Sequence, residues 1–299
     1  MSNDGRSQAT VRSPLSGPYA GLRAVLATMH GKEAAIVPAF KEQLELAVEI
    51  PSAIDTDTLG TFTGEIARAG TIREAALAKA RLGMAATGLS IGIASEGSYG
   101  PHPHVPFIPG GVELMVLVDD ERGIVVSEHL IDHAPVYEHA VAVKIGDLRA
   151  FLDHIRFPDH AVIVRPHEPD DDDVLIYKGL RTDEALESAL ATTAPRSRDG
   201  RALVQTDMRA HMNPTRMASI ARLAHALCDR LATPCPACDA PGYGQIDVET
   251  GLPCEWCGAP SIMVRHHIFG CAACEFREER PRPDGRTHAD PGHCPECNP

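Results

Sequence analysis

The chain has 299 residues, 43% of them apolar, which is enough for one large domain and a small one. No apolar run approaches the roughly 20 residues that cross a bilayer, and the first twenty residues lack a secretory stretch, so the expectation is a cytoplasmic protein with no membrane partner. A formal charge of −13 argues against nucleic acid as a partner, because it is the reverse of the basic footprint that phosphate backbones select.

In chain order, residues 1–19 are polar and carry Ser, Gly and Pro, and they read as a flexible leader. Residues 20–233 then read as an α/β domain, a mixed sheet flanked by helices. The apolar run at 22–27 suits a buried strand, with a turn from Thr28 to Lys32 after it. Ile36, Phe40 and Leu44, four apart, mark an amphipathic helix over about 33–48, in which Pro38 requires a late start or a bend. The best-signalled helix opens on Thr71 and Glu74, a capping box, and ends at Gly88. Its Ile72, Ala75, Ala76, Ala80 and Met84 form a small-residue face suited to close packing on a sheet.

A strand at 89–94 leads into Ser95-Glu96-Gly97-Ser98 and a Pro-rich loop with His102 and His104. Strands at 113–118 and 124–129 follow, joined by a hairpin turn. Beyond them come a helix at 145–155, a strand at 161–165, an acidic run at 170–173 that reads as solvated, a helix at 183–191 and a polar turn at 195–200. Asn213 and Pro214 stand at N-cap and N1 of the last helix, with Met217, Ile220, Ala224, Leu227 and Leu231 on its buried face. Cys228 lies on this helix and reads as a small core residue, and Pro234 stops it.

Residues 234–299 form a different kind of unit, a zinc-ribbon-like module. Eight of the nine cysteines fall here, as the Cys-x-x-Cys pairs Cys235/Cys238, Cys254/Cys257, Cys271/Cys274 and Cys294/Cys297. A structural zinc takes four thiolate or imidazole ligands in a tetrahedron, so four such pairs fill two sites. The gaps between successive pairs are 15, 13 and 19 residues. Sequential pairing, first with second and third with fourth, needs the shortest loops and is favoured; nested and interleaved pairings are the alternatives. Trp256, between two ligands, is expected to shield a zinc, whereas His266, His267, His288 and His293 are surplus to eight thiolates. The module holds five Arg and no Lys against ten Asp and Glu, a net of −5, so it too lacks a nucleic-acid footprint. Its expected partner is a protein.

Three short segments carry the functional question. Thr28-Met29-His30-Gly31-Lys32 joins a strand to a helix, a geometry that aims backbone N–H groups at an anion and adds a lysine for phosphate. Glu74 lies in the first turn of its helix, where the capping box alone explains it. Glu96 follows an apolar strand, and strand ends are where α/β proteins place their sites. A His-x-His pair at His102 and His104 offers transition-metal ligands beside Glu96, with a rigid Pro-rich surface loop as the plainer and favoured reading.

In this order the segments resemble the inosine-triphosphate pyrophosphatase-like superfamily of house-cleaning nucleotide hydrolases. The opening strand, turn, lysine and helix read AVLATMHGKEAAI, and the next helix and strand read GTIREAALAKARLGMAATGLSIGIASEGS. The resemblance runs from Leu22 to Ser98 and extends through the hairpin after it. It implies that Glu74 and Glu96 hold a magnesium ion and that Lys32, with Thr28, His30 and Gly31, balances phosphate charge. Nucleoside monophosphate and pyrophosphate would be the products, with Arg209 and Arg216 as candidates for reading the base. The expectation is therefore a zinc-binding protein with a divalent-metal-dependent nucleotide pyrophosphohydrolase or nucleotide-binding domain. The alternative is a non-enzymatic adaptor that docks a partner through its zinc module.

Overall fold

The computed structural model describes residues 17–51, 70–101, 109–169 and 175–299. Leader residues 1–16, the pair His102 and His104 and the acidic run 170–173 lie outside the described residues. Tyr19, counted with the leader on sequence, is fully buried in the core under the Arg122 guanidinium.

The central sheet begins with β1 (Arg23–Leu26), which pairs in parallel with β2 (Ala47–Glu49) on one side and β3 (Ile91–Pro101) on the other. β4 (Pro109–Asp119) and β5 (Ile124–Asp132) extend it as antiparallel neighbours, giving the order β2-β1-β3-β4-β5. Both faces are covered, and the side chains alternate between them as a pleated strand requires. Leu26, Ile91, Ile93, Met115 and Leu117 face the layer formed by α1 (Glu33–Leu44) and the C-terminal helix α5 (Pro214–Ala232). Val25, Ala94, Leu114, Val116 and Val118 face α2 (Ile72–Thr87), whose Thr71–Glu74 capping box and left-handed Gly88 cap are as predicted.

A second sheet, in the order β6-β9-β7-β8, is built from β6 (His139–Ala142), β7 (Val162–Pro166), β8 (Tyr177–Leu180) and β9 (Ala202–Thr206). The helices α3 (Arg149–His154) and α4 (Asp183–Thr193) belong to this part of the chain, and it has its own apolar cluster. One mixed sheet was expected. All four of its strands are only four or five residues long, and of these the sequence reading identifies β7 alone. The C-terminal region forms a third, antiparallel sheet of β10 (Gly244–Thr250), β11 (Val264–Gly270) and β12 (Arg277–Pro281).

Two boundary corrections bear on function. The first helix accommodates Pro38 internally but ends at Leu44, where Glu45 turns left-handed at φ 51° and sends the chain back as β2. The strand containing Glu96 runs to Pro101, so Glu96 lies in mid-strand opposite Leu114 and not at a strand end. The small residues after Ala94, where the sequence reading ends the strand, are ladder positions over which larger side chains lie.

Candidate functional site

β1 stops at Leu26 while β3 continues, so the side of β3 that β1 covers is open beyond the Ala27–Ile93 hydrogen bond. Carbonyls on that side recur every second residue, and the next, Ser95 O, needs another donor. Lys32 supplies it: Nζ donates to Ser95 O at 2.9 Å and to Ser95 Oγ at 3.2 Å, and the side chain is buried. Around this open edge gather two more charged pairs, one on each face of the sheet. On the α2 face Lys79 forms a buried ion pair with Glu96. On the α5 face Arg216 Nε donates to Glu113 Oε1 at 2.6 Å, with both side chains almost wholly enclosed.

Tyr99 Oη donates to the same Glu113 oxygen at 2.8 Å, and Arg216 stacks 5.5 Å from the Tyr99 ring centroid. The ladder explains how these large groups fit. Glu113 lies opposite Gly97 and Tyr99 opposite Gly111, and a Cβ on Gly97 would sit 2.6 Å from Glu113 Oε1. Arg216 is placed by its own helix start, where its N–H donates to the Asn213 cap at 2.9 Å, and its guanidinium also donates to Met208 O.

Among the described residues this cluster holds three cations, Lys32, Lys79 and Arg216, beside the carboxylates Glu96 and Glu113, with buried Asp132 across Gly111 from Tyr99 on the ladder. Burial, and next the Arg216 guanidinium, lower the Lys32 pKa to about 8 against the pull of Glu113 and Glu96. Burial, then the Glu113 carboxylate, push the Tyr99 phenol up.

The turn before Lys32 is shaped by two successive left-handed residues, His30 at φ 65° and Gly31 at φ 73°. For a non-glycine residue that conformation is costly and is kept only where surroundings enforce it. The enforcing contacts come from His211, whose N–H donates to His30 O at 3.0 Å and whose ring stacks on that of His30 at 5.4 Å. Thr28 is half-buried, and its hydroxyl donates to Met29 O at 3.0 Å.

Thus Lys32 and Glu96 are brought to one cluster, with the turn that carries Thr28, His30 and Gly31 leading into Lys32. Glu74 is exposed, and its described contacts are those of a cap: Oε2 accepts from Thr71 N at 2.7 Å and Thr71 Oγ1 at 2.9 Å. Those bonds hold its carboxyl below the usual range. Of the two base-reading candidates, Arg216 belongs to the cluster, whereas Arg209 is held by Asp207 at 2.6 Å. Lys79, Glu113 and Tyr99 were missed. Two of them carried a signal: Lys79 falls on the apolar stripe of α2, and Glu113 is the one acid in the run VELMVLV, where a carboxylate requires a partner.

The cysteines make two tetrads, Cys235, Cys238, Cys271, Cys274 and Cys254, Cys257, Cys294, Cys297. Facing Sγ atoms are 3.8 and 3.7 Å apart in the first and 3.9 and 3.6 Å in the second. A tetrahedron with Zn–S bonds of about 2.3 Å has edges of about 3.8 Å, so both tetrads fit structural zinc sites. The pairing is interleaved, first with third and second with fourth, and not the favoured sequential one. The reason lies in the β10–β11 ladder: Gly244, just after the first knuckle, pairs with Gly270, just before the third. The second knuckle is then tied to the chain end through the parallel Cys254–Ala289 bridge.

The first two knuckles are copies of one turn, Pro-Cys-x-x-Cys-x-Ala-Pro, each closed by a bridge between its outer prolines, a repeat visible at 234–241 and 253–260. Trp256 does not shield a metal, since it is 76% exposed at the tip of its knuckle. None of His266, His267, His288 and His293 joins a tetrad. Among the described residues no helix is long and apolar enough to cross a membrane.

Comparison with known proteins gives one family. The sequence model of a domain of unknown function, DUF6671, matches residues 79–299. The matched part holds Lys79, Glu96, Glu113, Arg216 and all eight tetrad cysteines, and it begins after Lys32 and Glu74. No curated protein matches the chain, and no solved structure does.

Proposed function

This chain belongs to the DUF6671 family, and on that footing we propose that it is a zinc-stabilised protein whose α/β part binds the phosphates of a nucleotide at the open edge of β3. One observation carries the reading: three buried cations, Lys32, Lys79 and Arg216, gathered where β1 ends, with Lys32 directly after a strained turn. Phosphate oxygens are the natural partners of clustered lysine and arginine side chains, and the crevice beyond the carboxyl end of a parallel strand is where α/β folds take such ligands. The same arrangement suits the magnesium-dependent release of pyrophosphate that the superfamily resemblance implies. Lys32 and Lys79 would attract phosphate oxygens, and the Glu96 carboxylate, which pairs with Lys79, would be the hard-oxygen ligand for a magnesium ion. Magnesium commonly needs only one or two carboxylates beside phosphate and water oxygens, so Glu74 keeps its place as a cap in this reading.

The test is a screen of common and deaminated nucleoside triphosphates, with and without magnesium, followed by pyrophosphate release and by melting temperature. Binding should raise the melting temperature, Glu96→Gln should abolish release but leave binding, and Lys32→Met should abolish both. A chain indifferent to every nucleotide removes this reading. The adaptor reading would then stand, and it rests on Trp256 and Ile262, 76% and 68% exposed on the zinc module. It requires that substitutions at Lys32 and Glu96 leave partner binding intact and that Trp256→Ala weaken it.

A further inference from the structure

The outer face of the zinc module's sheet carries a cluster that neither the tetrads nor the phosphate reading uses. His266 on β11 stands directly opposite Glu249 on β10, and Glu279 on β12 lies opposite Ile268, diagonal to His266 on the same face. Cross-strand and diagonal neighbours on one face are within side-chain reach, so the ladder itself sets this meeting. His266 Nδ1 is 3.1 Å from Glu249 Oε2 and 3.8 Å from Glu279 Oε2, and one ligand atom from each residue lies within 4.8 Å of the others.

The opposite face of the sheet is differently made. Tyr243, Phe269 and Phe276 form an aromatic patch there, and Arg280, stacked 4.2 Å from the Phe269 ring centroid, binds Glu278. Asp284 is likewise paired with Arg282. Glu249 and Glu279 have no arginine or lysine partner among the described residues; the imidazole is their shared contact. The two carboxylates and the imidazole thus converge on one point of the face, where no guanidinium or ammonium is paired with either acid among the described residues. A second mixed cluster, His167, Glu168 and Asp199, shows the contrast: Asp199 is already satisfied by Ser197, His167 and Arg201.

We propose that His266, Glu249 and Glu279 form a third metal site, outside the cysteine tetrads, for a borderline divalent cation of the zinc class. One imidazole nitrogen and two carboxylate oxygens make a three-ligand set whose remaining positions are open to water or to an exogenous ligand. A hard ion such as magnesium fits it less well, because the imidazole is the central donor. Lacking thiolates and lying exposed, the site binds more weakly than the tetrads and exchanges while they stay filled.

The test uses the full chain with its tightly held zinc left in place. Zinc is titrated calorimetrically, and retained metal is counted by elemental analysis. The wild type should take up one further zinc beyond the tightly held complement. Glu249→Gln combined with Glu279→Gln should lose that uptake while keeping the tight zincs, and so should His266→Ala. The tight zinc content of each variant shows that the module is still folded. A wild type with no further uptake, or a double variant that binds the extra zinc as well as the wild type does, overturns the site and leaves an exposed imidazole–carboxylate cluster only.

Discussion

An ammonium taken out of water is destabilising unless a full counter-charge goes with it, and Lys32 is buried against a carbonyl and a hydroxyl. Its pKa falls from 10.5 to about 8, so the charged form is disfavoured in the fold. Below pH 8 the lysine is charged in both folded and unfolded states and the penalty is complete. As pH rises from about 8 to 10.5 the folded state loses its proton first, and the penalty disappears. Lys32→Met should therefore melt higher than the wild type at pH 7, by at most roughly 3 kcal/mol, and the advantage should shrink towards pH 10. Melting curves across that range measure it; a gap independent of pH would mean that the buried charge is not the cause. Arg216 behaves oppositely, since its charge is matched by Glu113. Arg216→Leu strands that carboxylate and should cost about 3–5 kcal/mol, whereas pairing it with Glu113→Leu should recover much of the loss. A double-mutant cycle in urea separates the two.

At the scale of elements, what was legible followed from strong local signals. The capping box at Thr71 and Glu74, the Asn213–Pro214 start of α5 and the continuous apolar runs of β4 and β5 either side of a hairpin turn each specify structure within a few residues, and each is in place. The missed strands β6, β8 and β9 are short and draw their stability from ladder partners far along the chain, which no local window contains. The same limit applied to the charged cluster: Glu113 and Arg216 are 103 residues apart and meet only through tertiary packing. Knuckle pairing was misjudged because loop length was weighed without the β10–β11 hairpin, which brings the first knuckle to the third. Interleaving has an energetic consequence. Each tetrad closes a loop that contains a knuckle of the other, so neither site can open without freeing a strand that the other needs. Cys238→Ser and Cys257→Ser lie in different tetrads, yet each should release both zincs where independent sites would release one. Zinc released per chain, measured with a colorimetric chelator, decides between them.

For the whole molecule, the question is how far the metal module and the α/β part depend on one another. The buried members of the three apolar clusters all precede Pro234, and only half-buried Ala272 joins them from the module. The join is polar. Arg230, near the end of α5, donates to Ser127 O on β5 at 2.9 Å and to Gln245 O on β10 at 3.0 Å, and pairs with Glu128. It also donates to Gly242 O at 3.1 Å, so one guanidinium ties the module's first strand to the central sheet. The module has little apolar interior, and structural zinc in small domains contributes about 10–16 kcal/mol of folding free energy, so removing the metal should unfold residues 234–299 outright. The α/β part loses the Arg230 bonds to Gly242 O and Gln245 O, the close packing of Gly242 on Val126 and a little packing at Ala272, of which the hydrogen bonds to the charged group account for about 1–3 kcal/mol. Chelation should therefore abolish hydrogen-exchange protection in β10, β11 and β12 while β3 and β4 stay protected, and the main melting transition should persist at a moderately lower temperature. The nucleotide response proposed for the Lys32 cluster should survive chelation, because no residue of that cluster lies in the module. A single cooperative unfolding of the entire chain on zinc removal would show instead that the module is a strut of the α/β fold, with the Arg230 junction far stronger than its hydrogen bonds imply.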